Sequence, residues 1–174
     1  NWKPQSTGEG RFGQWLENLV DWNLSRSRYW GTPLPIWRTE DGTEEICIGS
    51  FEQLQEEINK AKDLNPHLPA DYDARKVLDP HRPYVDAIVL RSASGKPMQR
   101  ESDLIDVWFD SGAMPFAQLH FPFENKDVFA KNFPADLIAE GVDQTRGWFF
   151  TLHVIATLMN DSVAYKNVIS NGLV

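Results

Sequence analysis

Glu140, Gly141, Asp143 and Gln144 stand where an apolar run gives way to an amphipathic one, in Ala135-Asp-Leu-Ile-Ala-Glu-Gly-Val-Asp-Gln-Thr-Arg-Gly-Trp-Phe149. An apolar strand that passes through a glycine turn into a helix reads as half of a nucleotide site. In open α/β sheets the ligand crevice lies beyond the carboxyl ends of the strands, so a strand ending at Glu140 delivers these four residues to it. The carboxylates of Glu140 and Asp143 can accept from ribose hydroxyls, and Gln144 can donate to a carboxylate or ester oxygen. Gly141 lets a ligand ring come close to the backbone. The N–H groups of the first helical turn lack intrahelical partners and the helix dipole is positive there, so an anion is stabilised without a basic side chain.

The elements that must position these groups are a strand over 135–140, a helix over 142–159 and a strand from Asn167 to Ser170. This βαβ pattern implies a right-handed crossover in a parallel sheet. On the helix, Trp148, Leu152, Ile155 and Met159 recur at i, i+4, i+7 and i+11, and by that spacing alone Trp148 reads as core. Arg146 lies off the stripe and reads as a surface residue with its stem against Phe150. Upstream, Ser102-Asp-Leu-Ile-Asp-Val-Trp-Phe-Asp-Ser-Gly112 ends in a turn that exposes Trp108, Asp110 and Ser111, with Asp110 as N-cap of a helix from Ala113 to His120.

Near the start, Gly8-Glu-Gly-Arg-Phe-Gly13 matches the G-x-G-x-x-G dinucleotide pattern, but that motif needs a hydrophobic strand before it. Lys3-Pro-Gln-Ser-Thr7 is polar and carries proline, so the glycines read as a turn before a helix. That helix, about Phe12 to Asn23, carries Phe12, Trp15, Leu16, Leu19 and Val20 as a core-facing stripe. Trp22 to Trp37 is dense in Trp and Arg, a composition that fits either a nucleic-acid grip or a core with surface arginines. Arg38 to Gly49 reads as a hairpin around Asp41-Gly42 with Glu45–Ile48 as second strand, and Phe51 to Asp63 as an amphipathic helix. Asn65 to Pro83 reads as loop, in which His67 and His81 are surface residues rather than metal ligands. Val85 to Leu90 reads as a strand, followed by a Ser-Gly turn and a return strand near Met98.

With 174 residues, 41% of them hydrophobic, the chain can bury one sizeable core. A net charge of −8 argues against broad non-specific binding to nucleic acid, which depends on Lys and Arg neutralising phosphates. The single cysteine, Cys47, excludes an internal disulfide and a multi-cysteine zinc site. No apolar run approaches the roughly 18 residues needed to span a bilayer, and the polar start resembles no secretory signal; a soluble, cytoplasmic location is expected, with no membrane and no stable protein partner implied. The absence of an initiator Met, and an end at Gly172-Leu-Val174 directly after an apolar strand, read as an excised piece.

Three segments resemble one family, in this order: Asp21-Trp-Asn-Leu-Ser-Arg-Ser-Arg-Tyr-Trp-Gly-Thr-Pro-Leu-Pro-Ile-Trp37, Asp106-Val-Trp-Phe-Asp-Ser-Gly112 and Glu140-Gly-Val-Asp-Gln-Thr-Arg-Gly-Trp-Phe149. They are similar to isoleucyl-tRNA synthetases, within the class I aminoacyl-tRNA synthetases, and Gly8 to Glu17 looks like the same family. The resemblance implies an α/β fold, the second half of a Rossmann-like catalytic domain that follows the editing insertion, plus a small inserted hairpin and helix subdomain. It divides the chain into a link at 1–37, the inserted subdomain at 38–101 and the second half of the catalytic fold at 102–174. It implies isoleucine, ATP with Mg2+, and tRNA(Ile) as partners of the full enzyme, through which isoleucine is activated to its adenylate and esterified to tRNA. Trp108, Trp148 and Gln144 match the isoleucine pocket, and Glu140, Gly141, Asp143 and Gln144 match adenylate contacts. No residue here is implied as catalytic, because the family's His-Ile-Gly-His and Lys-Met-Ser-Lys-Ser elements are both absent, so the 174 residues alone are expected to be inactive.

Arg26 and Arg28 are candidates for contact with the tRNA acceptor end. Asn171 stands where many family members carry a histidine near adenine, so no adenine contact is assigned to it. Related synthetases often carry Cys-x-x-Cys pairs of a zinc knuckle near positions matching Thr39–Gly42 and Ala93–Lys96; both pairs are missing, which implies a zinc-free hairpin held by side-chain packing. The alternatives are a valyl- or leucyl-tRNA synthetase piece, or a non-catalytic tRNA-binding module.

Overall fold

The computed structural model describes residues 1–172. In chain order its elements are β1 (Trp2–Lys3), a π-helical turn Thr7–Phe12, α1 (Gly13–Glu17), β2 (Ser25–Arg26), β3 (Ile36–Thr39), β4 (Glu45–Cys47), α2 (Phe51–Lys60) and α3 (Ala74–Val77). There follow β5 (Leu90–Arg91), β6 (Pro97–Arg100), β7 (Leu104–Ile105), α4 (Val107–Gly112), α5 (Met114–Ala117), α6 (Lys126–Asn132), β8 (Ile138–Gly141), α7 (Trp148–Asn160) and β9 (Val168–Asn171). Two compact units result, one from Asn1–Leu24 with Val107–Val174 and one from Ser25–Asp106. Residues 25–37 thus belong with the second unit.

In the first unit β1, β9 and β8 form a parallel sheet in that order, with Trp2 opposite Val168 and Val168 opposite Ile138. β1 is two residues long, too short for any period to show in the sequence. One face of the sheet is covered by α7, whose Phe149, Leu152 and Ala156 bury with Phe12, Tyr165 and Val168. Each Phe, Leu or Val side chain among them, fully buried, contributes about 1.5–3 kcal/mol. The Tyr165 hydroxyl donates to the Phe149 carbonyl at 2.9 Å, and burial pushes its pKa well above the usual tyrosine value.

Several expectations change here. The first helix begins before Phe12 and ends at Glu17, because the glycine segment is itself helical and the Asn18 side chain donates back to the Gln14 carbonyl. Leu19 and Val20, assigned to its core stripe, are exposed. Residues 107–112 form α4 rather than a turn, so Asp110 lies inside a helix and caps nothing after it; Ala113 takes the N-cap position of α5. The helix expected over 142–159 is two elements: a 3₁₀ turn, Val142–Arg146, and α7, broken at Gly147 (φ −132, ψ −116). Met159, at the end of the predicted stripe, is exposed.

The second unit is built on a four-stranded antiparallel sheet, order β4-β3-β6-β5, over which Trp37, Leu54, Ile58, Ile88, Leu90 and Met98 pack. The Asp41-Gly42 hairpin forms as expected, with Gly42 at φ +66. Ser50 caps α2 by accepting from the Gln53 N–H at 3.1 Å. The strand expected over Val85–Leu90 shrinks to Leu90–Arg91 after a 3₁₀ turn at Val85–Ala87. The reason is Asn65, whose buried side chain accepts from Val89 N at 2.9 Å and donates to Val89 O at 2.7 Å, taking both backbone groups that a strand neighbour would use.

The two turns at 39–42 and 92–96 in this sheet are tied by polar groups rather than by apolar packing. Lys96 Nζ lies 2.6 Å from Asp41 Oδ2, and Asp41 Oδ1 accepts from the Thr39 and Thr43 hydroxyls, each at 2.7 Å. Glu44 accepts from Ser92 Oγ at 3.1 Å and from the Ser94 N–H and hydroxyl. Lys96 and the threonine hydroxyls hold Asp41 well below the usual carboxylate range, and the Ser94 donors lower Glu44.

Candidate functional site

β8 carries its chain to an exposed Glu140 at the strand tip, and the five-residue 3₁₀ turn that follows presents Asp143 to solvent and Gln144 half-buried. Gly141 is paired with Asn171 of β9, and a side chain on it would meet Asp143 Oδ1 at 2.5 Å. Gln144 is the hub of the turn. Its Nε2 donates to Asp143 Oδ2 at 2.9 Å, and its Oε1 accepts from the Trp148 N–H at 3.0 Å.

That second bond alters the expectation of an anion site at the helix start: the first N–H of α7 is taken by Gln144, because the break at Gly147 folds the turn back over the helix end. Gly147 is where the site is tightest. A Cβ there would lie 2.8 Å from Gln144 Oε1 and 3.3 Å from Trp108 Cη2, so a residue larger than glycine would displace both. Trp108 on α4 is 42% exposed, its ring edge over Gly147. Trp148 is half-buried: its ring packs at the margin of the α7 core and its indole N–H donates to the Ser111 carbonyl at 3.0 Å.

Trp108, Gln144, Gly147 and Trp148 therefore come together around the break, with Glu140, Gly141 and Asp143 along the strand tip. Two contributors were missed from sequence. The Arg11 guanidinium donates through Nε to Thr145 Oγ1 at 2.9 Å, and fully buried Thr145 donates to the Val142 carbonyl at 2.8 Å. A threonine in a polar run carries no burial signal, and Arg11 is 134 residues away in the chain. Arg146 lies over the Trp15 ring at 5.0 Å, not against Phe150 as its spacing implied.

In the second unit, Arg26 pairs with Asp106 at 2.6 Å and donates to the Ser25 carbonyl. Asp106 is buried, and that pairing compensates its charge. Arg28 is exposed and followed by exposed Tyr29 and Trp30. The Trp30 ring stacks on His81 at 4.7 Å and 4°, and the Arg82 guanidinium lies 5.8 Å over Tyr29, so His81 belongs to an aromatic and cationic surface. Among the described residues no group of three or more His, Cys, Asp and Glu side chains is arranged to hold a metal ion, and no helix is long and apolar enough to cross a membrane.

A parallel sheet whose strand tip opens on an exposed polar turn is the frame of an open α/β fold. The family described as tRNA synthetases class I (I, L, M and V) matches residues 1–174, and the chain belongs to it. Its curated relatives are isoleucine–tRNA ligases. That of Cytophaga hutchinsonii is 71% identical over 174 residues, covering 100% of this chain and 15% of the relative. Those of Bacteroides thetaiotaomicron and Thermus thermophilus are 66% and 54% identical, each covering 100% of this chain and 16% of the relative. The chain thus spans about 15% of the length of the relatives it matches. Among solved structures, a crystal structure of the ternary complex of Agrobacterium radiobacter K84 agnB2 LeuRS with tRNA and LeuAMS superposes with a TM-score of 0.58 at 18% identity, over 97% of this chain and 22% of that one. The fold is that of a class I synthetase, as the sequence resemblance implied.

Proposed function

We propose that these residues are the part of an isoleucine–tRNA ligase that follows the editing insertion, and that the whole protein activates L-isoleucine with ATP and transfers it to tRNA(Ile). The observation that carries this reading is the 71% identity over all 174 residues with the Cytophaga hutchinsonii isoleucine–tRNA ligase. In the first step a carboxylate oxygen of isoleucine attacks the α-phosphorus of ATP, the new O–P bond forms in line with the one that breaks, and pyrophosphate leaves. The chemistry is mainly positioning and charge stabilisation, so this chain need supply neither nucleophile nor general base.

Its residues hold the adenylate. Glu140 and Asp143 accept from the ribose hydroxyls. A side-chain amide has two N–H donors, and Gln144 spends one on Asp143, which leaves the other for the carboxylate or ester oxygen. Trp108 and Trp148 offer flat apolar area with little rotamer freedom to a branched aliphatic side chain. Mg2+ accompanies ATP as substrate, and no ligand for it is assigned to this chain. The polar clasp joining the turns at 39–42 and 92–96 supports a zinc-free subdomain, which metal analysis of the purified chain would overturn by finding stoichiometric zinc. Arg26 and Arg28 are proposed as contacts for the tRNA acceptor end; exposed Arg28, two residues before exposed Trp30, suits a phosphate and an unstacked base, while Arg26 is also paired with Asp106.

Amino-acid-dependent pyrophosphate exchange by the full-length protein tests the reading. Isoleucine should support it best. A preference for valine or leucine would make this a valyl- or leucyl-tRNA synthetase, and no exchange with tRNA binding retained would favour a non-catalytic tRNA-binding module.

A further inference from the structure

The turn that carries Asp143 and Gln144 is poorly equipped to hold itself. It is a five-residue 3₁₀ segment, whose hydrogen bonds have weaker geometry than those of an α-helix, and it ends in the break at Gly147, so α7 does not extend through it. Beyond the bond of Gln144 to the Trp148 N–H, what holds it comes from the other end of the chain, at two points. Arg11, in the π-helical turn Thr7–Phe12, donates Nε to Thr145 Oγ1 at 2.9 Å, and the same hydroxyl donates to Val142 O at 2.8 Å, so one buried oxygen links the turn's start to the guanidinium. One helical turn on, the Trp15 ring lies under the Arg146 guanidinium at 5.0 Å. Thr145 and Arg146 directly follow Gln144, so both tethers act within two residues of the group that bonds Asp143 and the Trp148 N–H.

We infer that Arg11 and Thr145 are positioning residues for the adenylate turn, and that the glycine-rich segment Gly8–Gly13, which matches a nucleotide motif without forming one, serves to present Arg11 to Thr145. This rests on the reading of Asp143 and Gln144 given above. Misplacing a binding group by about 1 Å can cost on the order of 100-fold in rate, so losing the tether should act through substrate binding rather than through the fold.

The test is isoleucine-dependent pyrophosphate exchange by the full-length synthetase carrying Arg11→Met, Thr145→Val, both together, Thr145→Ser and Gln144→Ala, with thermal midpoints as control. Arg11 is exposed, so its variant folds even if the isosteric Thr145→Val does not. Expected are a fall in kcat/KM of about 10- to 100-fold for Arg11→Met and Thr145→Val, with the larger share in KM for isoleucine and ATP. The double variant should be no worse than Thr145→Val alone, which already removes the Arg11 bond together with the bond to Val142 O. Thr145→Ser, which keeps the hydroxyl, should stay near the parent. Parental KM values in Arg11→Met beside a Gln144→Ala that has lost activity would overturn the positioning role alone. A fully active Gln144→Ala would overturn the site reading, and the positioning role with it.

Discussion

In the unit spanning Ser25–Asp106 the turn carboxylates Asp41 and Glu44 are tied to Lys96, Ser92 and Ser94, whereas at the strand tip of the other unit Glu140 and Asp143 are exposed and, among the described residues, paired with no cation. The carboxylates held below their ordinary range by partners, Asp41, Glu44, Asp63, Asp73 and Asp79, all belong to the Ser25–Asp106 unit. Polar side chains that close on one another hold a turn. Glu140, at the carboxyl end of a parallel strand, and Asp143, which accepts from its neighbour Gln144, keep acceptor capacity that no cation takes up among the described residues.

The comparison can be broken from either side. The largest effect is expected at Trp37, which is 1% exposed and donates its indole N–H to the Ile88 carbonyl at 2.8 Å. Trp37→Ala should cost about 3–5 kcal/mol of stability, read by urea unfolding, because it leaves a cavity on the packed face of the sheet and an unsatisfied Ile88 carbonyl. Asp143→Ala should do the opposite: exchange activity of the full-length protein falls about 10-fold, equivalent to about 1.4 kcal/mol, while the thermal midpoint holds.

The smallest effect separates the units by pH. Depressed carboxylates contribute stability that is complete above their ordinary range and lost as pH falls through and below about 4. His153, in the first unit, is held below the ordinary imidazole value by burial, so its neutral form is favoured when folded and stability begins to fall earlier, as pH drops below about 6.5. The thermal midpoint should decline between pH 7 and pH 5, and His153→Gln should flatten that decline while leaving the drop below pH 4.

Much of this was legible in the sequence. A strand expected over 135–140 and found at Ile138–Gly141, a helix expected over 142–159 whose later part is α7, the hairpin at Asp41-Gly42 and α2 follow from apolar period and turn chemistry, and the family segments single out Glu140, Gly141, Asp143, Gln144, Trp108 and Trp148. What escaped was decided by contacts distant in the chain. Glycine content concealed the helicity of 7–13, Asn65 replaced a strand by taking both polar groups of Val89, and the break at Gly147 turned Gln144 from a free donor into the link between Asp143 and Trp148. The Arg11–Thr145 bond has no local signature at all.

The most direct test of the account is calorimetric titration of the full-length protein with a non-hydrolysable isoleucyl-adenylate analogue, comparing the parent with Gln144→Ala and Lys96→Met. Gln144→Ala should weaken binding about 100-fold, by removing contacts and the anchor of the turn, and Lys96→Met should leave the affinity unchanged. Unaltered affinity in Gln144→Ala, or equal losses in both variants, would contradict the account.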